Sequence, residues 1–408
     1  MKILLISQYF WPEEFRINEL AAMMAERGHQ ITVLTGIPNY PGGRYFPGYG
    51  CLRQKKQRYK GIDIVRVPLI SRGKGGYIRL ALNYFSFALS GCLLGPIKCR
   101  DGYDAVFVYE PSPITVGLPA IVMKRFKSAP ILFWVQDLWP ESLVATGSVH
   151  SNVILKLVDA LVRFIYARCD RILVQSRSFV DAIARLGVES SKIEYFPNSA
   201  EAIFDNARGS LTEIPDVQFP EGFRIMFAGN IGAAQDFETI LKTAELLRER
   251  EDIHFIIVGD GRMLPWVREQ LHIRGLARTV HLLGRHPLDS MPAFYARADV
   301  MLVTLRKDPI FALTIPAKVQ SYLACSRPIV AALDGEGARV VDESGAGLVC
   351  PAEDPQSLAK TILRVYNMKR EEREEMALRG RAYFENNFKS DILLHRLNKW
   401  LVELTGKV

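Results

Sequence analysis

The sequence predicts an α/β chain of two Rossmann-like, doubly wound parallel-sheet domains. Short apolar runs without polar alternation follow one another, separated by helical patterns, through most of the chain. Such runs mark strands buried on both faces beneath helices. The pattern is written twice, and 408 residues are too many for one ordinary core.

In the first half the runs are "KILLIS", "QITVLTG", "DIVRVP", "DAVFVY", "ILFWVQD", "RILVQS" and "KIEYFPN". The second half repeats the theme with "FRIMFAG", "IHFIIVG", "VHLLG", "ADVMLVTL", "RPIVAAL" and "AGLVC". Between them the polar stretch 199–222 has no clear period and reads as a connection. The domains are therefore placed at 1–200 and 201–389. The amphipathic "SDILLHRLNKWLVEL" within 390–408 is free to pack back on either domain, the N-terminal one being one of the two seats open to it.

Nearly half the residues are apolar and about a quarter charged, the balance of a globular protein. Six cysteines occur singly, with no CxxC pair, which argues against disulfides and structural zinc. The opening "MKILLISQYFWPEEF" lacks the pattern of a secretory signal, so a cytoplasmic setting is expected. Residues 1–130 hold 18 Lys+Arg against 8 Asp+Glu, a net +10, while the remainder stands at −2. The densest patch is "RQKKQRYK" (53–60), followed by Arg66, Arg72, Lys74 and Arg79. The apolar "LALNYFSFALSGCLLGPI" (80–97) comes next, too interrupted by Asn83, serines, glycines and Pro96 to be read as a span. A basic patch beside an apolar helix suits an anionic membrane surface, and a solvated loop beside a buried helix is the plainer alternative. No nucleic-acid motif accompanies the charge, so no nucleic-acid partner is expected.

Ligands of doubly wound sheets bind beyond the carboxyl ends of the strands, where this sequence has small-residue turns. "FAGNIGAAQDFETIL" and "IIVGDGRMLPWV" place Gly229, Gly232 and Gly259 where backbone can approach a ligand. "VTLRKDPIFALTIPAKVQSYLA" restarts as a helix near Pro316, a favoured first-turn residue. A helix N-terminus is an anion site. Lys318 in its first turn opposes the dipole, a local cost that points to an anionic ligand such as a diphosphate, a solvated first-turn lysine being the plainer alternative.

At this point the chain resembles a known family. "MKILLISQYFWPEEFRINELAAMMAERGHQITVLTG", "KIEYFPNSAEAIF", "FAGNIGAAQDFETI", "IIVGDG", "VHLLGRHPLDSMPAFYARADV" and "IPAKVQSYLACSRPIVA" together look like a retaining glycosyltransferase of family 4. "WVQDLWPES" and "SYLACSRPIVAALDGEGARV" most resemble the subgroup that transfers N-acetyl-L-fucosamine-type sugars in surface polysaccharide assembly. The resemblance implies a GT-B fold, in which the N-terminal domain takes the acceptor, the C-terminal domain takes a UDP-sugar, and catalysis occurs in the cleft. It also implies a polyprenyl-diphosphate-linked saccharide as acceptor at the inner membrane.

Most members of that family carry two glutamates eight positions apart around this helix start. Here the aligned positions are Leu313 and Ser321, so both acids are missing. The usual arginine and lysine of the first C-domain turn fall on Asn230 and near Gln235, and Lys318 is the retained member. The resemblance thus gives a donor site of Asn230, Gly232, Gln235, Gly259, Arg262, Arg285, Thr314, Ile315, Ser321 and Glu336. On the acceptor side it gives Arg16, Asn18, Glu19 and Gln136, with Asp137 orienting the acceptor. Lys318 and the amides of Gly232 and Leu313–Ile315 would stabilise the departing diphosphate. No Asp-x-Asp occurs, so a metal-independent reaction without cofactor is expected, the leaving phosphate taking the acceptor proton. Rival readings are a UDP-sugar 2-epimerase of the same architecture and a non-catalytic sugar-nucleotide-binding assembly protein. An NAD dehydrogenase fits poorly, since no GxGxxG follows the first strand.

Overall fold

Chain contacts divide the protein into two units, Met1–Pro197 with Leu393–Val408, and Asn198–Ile392. The computed structural model describes residues 1–51, 57–73, 76–145, 149, 151–205 and 217–407. Arg53, Lys55, Lys56, Lys74 and much of the predicted connection, residues 206–216, lie outside the described residues.

The first unit is built on eight strands: β1 (Lys2–Ile6), β2 (Gln30–Gly36), β3 (Gln57–Tyr59), β4 (Ile62–Val67), β5 (Ala105–Glu110), β6 (Ile131–Val135), β7 (Arg171–Val174) and β8 (Ile193–Tyr195). Their order is β3-β4-β2-β1-β5-β6-β7-β8, and every pairing is parallel except β3 with β4. All seven strands read from apolar runs are present. The eighth, β3, arises within the basic stretch, where no apolar pattern marks it. There Arg58 lies opposite Asp63 and bonds it at 2.7 Å. Both side chains are exposed, so the pair adds little stability and mainly fixes register.

Helices α1 (Arg16–Glu26), α2 (Tyr77–Lys98), α3 (Gly117–Lys127), α4 (Glu141–Ala145) and α5 (Asn152–Tyr166) belong to this unit. Against the expectation of an interrupted segment, α2 is one continuous helix, long and apolar enough to cross a membrane by length and composition. Its interruptions have partners on the protein side. The Asn83 amide donates to the Ile70 carbonyl at 2.6 Å and accepts from Gln8 at 2.7 Å. Ser90 donates to the Pro68 carbonyl. A Cβ on Gly91 would press on Pro119, and one on Gly95 on Leu34, at 3.0 and 3.1 Å. The polar and small residues are thus what lets α2 pack closely.

The second unit has six parallel strands, β9 (Phe223–Ala228), β10 (Ile253–Val258), β11 (Val280–Gly284), β12 (Val300–Thr304), β13 (Ile329–Ala332) and β14 (Gly347–Cys350). They run in the order β11-β10-β9-β12-β13-β14. The order reverses at β9 and β12, the switch point beyond which such sheets hold ligands. Each predicted run of the second half is a strand here.

The C-terminal helix Ser390–Thr405 returns to the first unit. Leu393, Leu394, Leu397, Trp400 and Leu401 bury themselves in one core with Ile3, Leu5, Ile17, Met24 and Phe196. Arg171 adds an ion pair to Glu403 at 2.6 Å. Leu397→Ala should therefore destabilise the first unit by about 2–5 kcal/mol, the usual cost of emptying a core leucine site. Limited proteolysis under mild denaturant should open residues 1–197 earlier than in the wild type, with the second unit unaffected.

Candidate functional site

In the second unit, Pro316 precedes the helix Ala317–Ala324 and sets Lys318 in its first turn. The Lys318 side chain runs back under the carboxyl end of β9. Its ammonium lies 3.6 Å from the centre of the Phe227 ring and donates a short hydrogen bond to the Gln235 amide oxygen. No carboxylate among the described residues pairs with it. Burial pushes the Lys318 pKa well below the ordinary lysine value, because desolvation disfavours the charged form.

Glycines make this approach possible. Gly229 has φ +137°, and a Cβ there would stand 2.7 Å from Lys318 Cε. Gly259, at φ +142°, would drive a Cβ to 1.9 Å from the Gly229 carbonyl. A Cβ on Gly232 would meet the Asn230 amide at 2.6 Å. Gln235 is held from the next strand over: Thr304 donates to its carbonyl at 2.5 Å, and the Arg306 amide donates to Ala234 at 3.0 Å. The structure thus brings Lys318, Gln235, Asn230, Gly232 and Gly259 to one edge of the sheet. Arg262 and Arg285 follow β10 and β11 and are exposed.

Four predicted donor positions have other engagements. The Leu313 and Thr314 amides donate to the Ile310 and Phe311 carbonyls, and the Thr314 hydroxyl also turns to Phe311. The Leu313–Thr314 part of the proposed amide cradle is therefore spent closing a turn. Ile315 is buried in the core. Glu336 is buried and held by Arg339 at 2.6 Å, so its carboxylate serves its own helix start. Ser321 donates at 3.3 Å to the carboxylate of Glu201 and to the Ala317 carbonyl. Glu201 was not singled out in the sequence; it brings a carboxylate to this helix from 120 residues away.

In the first unit, Asp137 follows β6 and lines a cavity of about 490 Å³, within the roughly 300–1,000 Å³ typical of small-molecule sites. The Gln136 amide donates to the Glu110 carbonyl at 3.0 Å, and Gln175 donates to the Gln136 carbonyl at 2.6 Å, fixing this turn. Burial pushes the Asp137 carboxyl up to about 7. Glu110, at the end of β5 and fully buried, is raised well above the usual carboxylate range by burial and then by the Asp137 charge. Arg72 joins the same cavity. Its guanidinium lies 5.0 Å from the Tyr40 ring centre and donates to the Tyr9 hydroxyl at 3.2 Å.

The other predicted acceptor residues do not line that cavity. Asn18 spends its side chain on the loop before α1, donating to the Glu13 carbonyl at 2.7 Å and accepting from the Trp11 amide at 3.2 Å. Gln136 is buried and Glu19 is exposed. Arg16 lies near enough to Tyr109 for its charge to oppose the burial-driven rise of that hydroxyl. Arg66, counted in the basic patch, is a buried tie that donates to the Gly36 and Trp11 carbonyls. Tyr9, Tyr84 and Trp139 line the cavity but carry no sequence signal beyond being aromatic.

The "Glycosyl transferase 4-like domain" family matches residues 14–199, and the "Glycosyl transferases group 1" family matches 222–368. Both matches are to glycosyltransferase domains, one within each half of the chain. It is 32% identical over 236 residues to "Probable glycosyltransferase WbjE" of Pseudomonas aeruginosa, covering 56% of this chain and 58% of that one. It is 25% identical over 341 residues to "Putative colanic acid biosynthesis glycosyl transferase WcaI" of Escherichia coli, covering 79% and 81%. The alignment with the first relative thus spans little more than half of that protein's length. Among solved structures, Anabaena HepE in complex with UDP and glucose superposes with TM-score 0.67 at 14% identity, over 99% of this chain and 100% of that one. The shared fold is GT-B.

The Lys318 environment makes a stability prediction. A lysine whose folded pKa is depressed binds fewer protons folded than unfolded, so stability rises with pH across the window between the two values. Lys318→Met should stabilise the ligand-free protein at pH 7 by roughly 1–3 kcal/mol, the usual cost of burying a polar group whose partners compensate it only in part, and so raise its melting temperature. The gain should shrink toward pH 10. Scanning calorimetry across pH 6–10 checks both the sign and the slope.

Proposed function

We propose that the protein transfers a sugar from a UDP-sugar to a lipid-linked saccharide, with retention, in the assembly of a bacterial surface polysaccharide. N-acetyl-L-fucosamine or a related amino or deoxy sugar is the proposed donor sugar. The observation that carries the reading is the buried Lys318 ammonium, which has no carboxylate partner among the described residues and sits beside glycine turns at the switch point. A diphosphate bound there would restore the charge balance that the fold leaves open. As the glycosidic bond to phosphate breaks, negative charge grows on the leaving oxygen, and a fixed cation in a low-dielectric setting stabilises it. The Gln235 amide oxygen and the Phe227 face hold that cation in place.

Asp137 supplies the acceptor side of the reading. Its carboxyl, once ionised, accepts a hydrogen bond from the acceptor hydroxyl and aims it, while the leaving phosphate takes the proton. No metal or cofactor is proposed. The exposed apolar face of α2 supports a peripheral seat on a membrane. Ile78, Leu82, Phe85, Leu89 and Leu93 repeat at intervals of three and four residues and are exposed, while Asn83, Phe87 and Gly91 are buried. A stripe of that size turned outward is what a lipid surface covers. The cytoplasmic side is proposed, since a nucleotide sugar is a cytoplasmic metabolite.

The decisive experiment offers the purified protein a panel of UDP-sugars and a lipid-linked N-acetylhexosamine in vesicles, with products identified by mass spectrometry. One UDP-sugar should yield a lipid-linked disaccharide, and Lys318→Ala should lower kcat by about 10²–10³. Conversion of free sugar nucleotide without acceptor would favour the epimerase. Donor binding with no turnover on any acceptor would favour a non-catalytic binding protein. For Asp137, kcat/KM should rise with pH through about 7 as the carboxyl ionises. In Asp137→Asn that rise should be absent and the plateau lower.

A further inference from the structure

The first-unit cavity is more apolar than a saccharide site requires, and its walls continue into an exposed apolar surface. One wall is α2, through Leu80, Ala81, Tyr84 and Phe85, and another is α5, through Ile154, Val158 and Leu161. Phe85 and Ile154 are at once cavity lining and exposed surface. On α5, Val153, Leu157 and Phe164 are exposed as well, interspersed with Lys156 and Arg163. The cavity is thus walled by two helices that both carry exposed apolar side chains, those of α5 beside basic ones.

Its polar groups gather in one place. Arg72, Tyr84 and Asp137 all line the cavity, and the charges of Arg72 and Asp137 act on the Tyr84 hydroxyl in opposite directions. Tyr9 bonds Arg72 in the same cluster. Arg72 has no carboxylate partner among the described residues; its neighbours are the Tyr9 and Tyr40 rings. A cation backed by aromatic faces at one end of an apolar cavity suits an amphiphile with one anionic head and one hydrocarbon tail.

We propose that this cavity binds the phosphate-proximal part of an isoprenoid chain, with Arg72 on the head-group phosphate and the chain leaving between α2 and α5. This rests on the lipid-linked acceptor proposed above and assigns the lipid, rather than the sugar, a specific seat inside the protein. An anionic bilayer covering the α2 and α5 ridge would then deliver the chain sideways, without drawing the whole lipid through water. Apolar burial at about 25 cal/mol per Å² makes the chain the larger contributor to acceptor affinity, and Arg72 sets its direction.

The test uses the full chain and geranylgeranyl diphosphate, measured by equilibrium dialysis below its micelle concentration. Excess inorganic pyrophosphate is present throughout, so that any diphosphate site elsewhere is filled. Saturable binding should persist, and Ala81→Trp or Val158→Trp, which fill the cavity from either helix, should weaken it tenfold or more. Arg72→Gln should weaken the diphosphate but not geranylgeraniol. As a readout that needs no variant to fold, a benzophenone-bearing isoprenoid diphosphate should label peptides within 77–85 or 152–166 of the wild type. Labelling confined to other segments, equal affinity in both tryptophan variants, complete displacement by pyrophosphate, or equal competition by dioctanoyl phosphatidic acid would each overturn the proposal. Loss of isoprenoid binding with sugar transfer to a chain-free acceptor intact would sink the cavity alone. Isoprenoid binding with no transfer from any UDP-sugar would sink the enzymatic reading instead.

Discussion

A buried amine facing an aromatic ring and an amide, with no acid among the described residues to pair it, is the constraint on which the second unit's site is organised. A charge removed from water costs several kcal/mol unless geometry and hydrogen bonds compensate. The compensation here is partial. Phe227 offers its ring face, Gln235 one oxygen, and desolvation still depresses the pKa. The surroundings are shaped to keep that amine in place. Gly229 clears the path of its side chain, Gly259 clears Gly229, and Thr304 pins the carbonyl of the residue that accepts from it. Removing the counter-charge is a loss for stability and a gain for binding an anion, which is how sites come to hold strain that the rest of the fold supports.

The first unit solves a different problem, that of a long apolar helix on a surface. Helix α2 turns its polar and small residues inward, where Asn83 joins Gln8 and the Ile70 carbonyl, and leaves leucines and a phenylalanine outside. In a helix bathed by water the order is the reverse. Helix α5 adds exposed Val153, Leu157 and Phe164 beside it, and the cavity holding Asp137 and Arg72 is lined by both helices. In that low-dielectric setting burial pushes the Asp137 carboxyl up to about 7, and Glu110, fully buried, is likewise raised well above the usual carboxylate range.

Local pattern carried most of the architecture. Thirteen strands announced themselves as apolar runs, because a strand covered on both faces must be apolar at every position. The exception, β3, is an edge strand of three residues whose outward side chains face water, so its composition is that of a loop. The amphipathic terminal helix was equally plain, since five inward positions at helical spacing have to find a core. The site was legible where a residue type is costly in its local setting, as Lys318 is against a helix dipole. It was illegible where a plausible type serves the chain itself: Asn18 holds a loop, Thr314 closes a turn, and Glu336 pairs with Arg339.

The sequence by itself determined two parallel-sheet domains, the glycine turns at the strand ends and the lysine beside them, because periodicity and backbone freedom are properties of neighbouring residues. Only the tertiary structure decided that Glu201 would meet Ser321, that Arg72 would join Asp137 and Tyr84 in one cavity, and that the polar side of α2 would be its inner one. Those relations join residues tens to more than a hundred positions apart. Nothing local encodes them; they follow from which surfaces the packed sheets leave for each helix to cover.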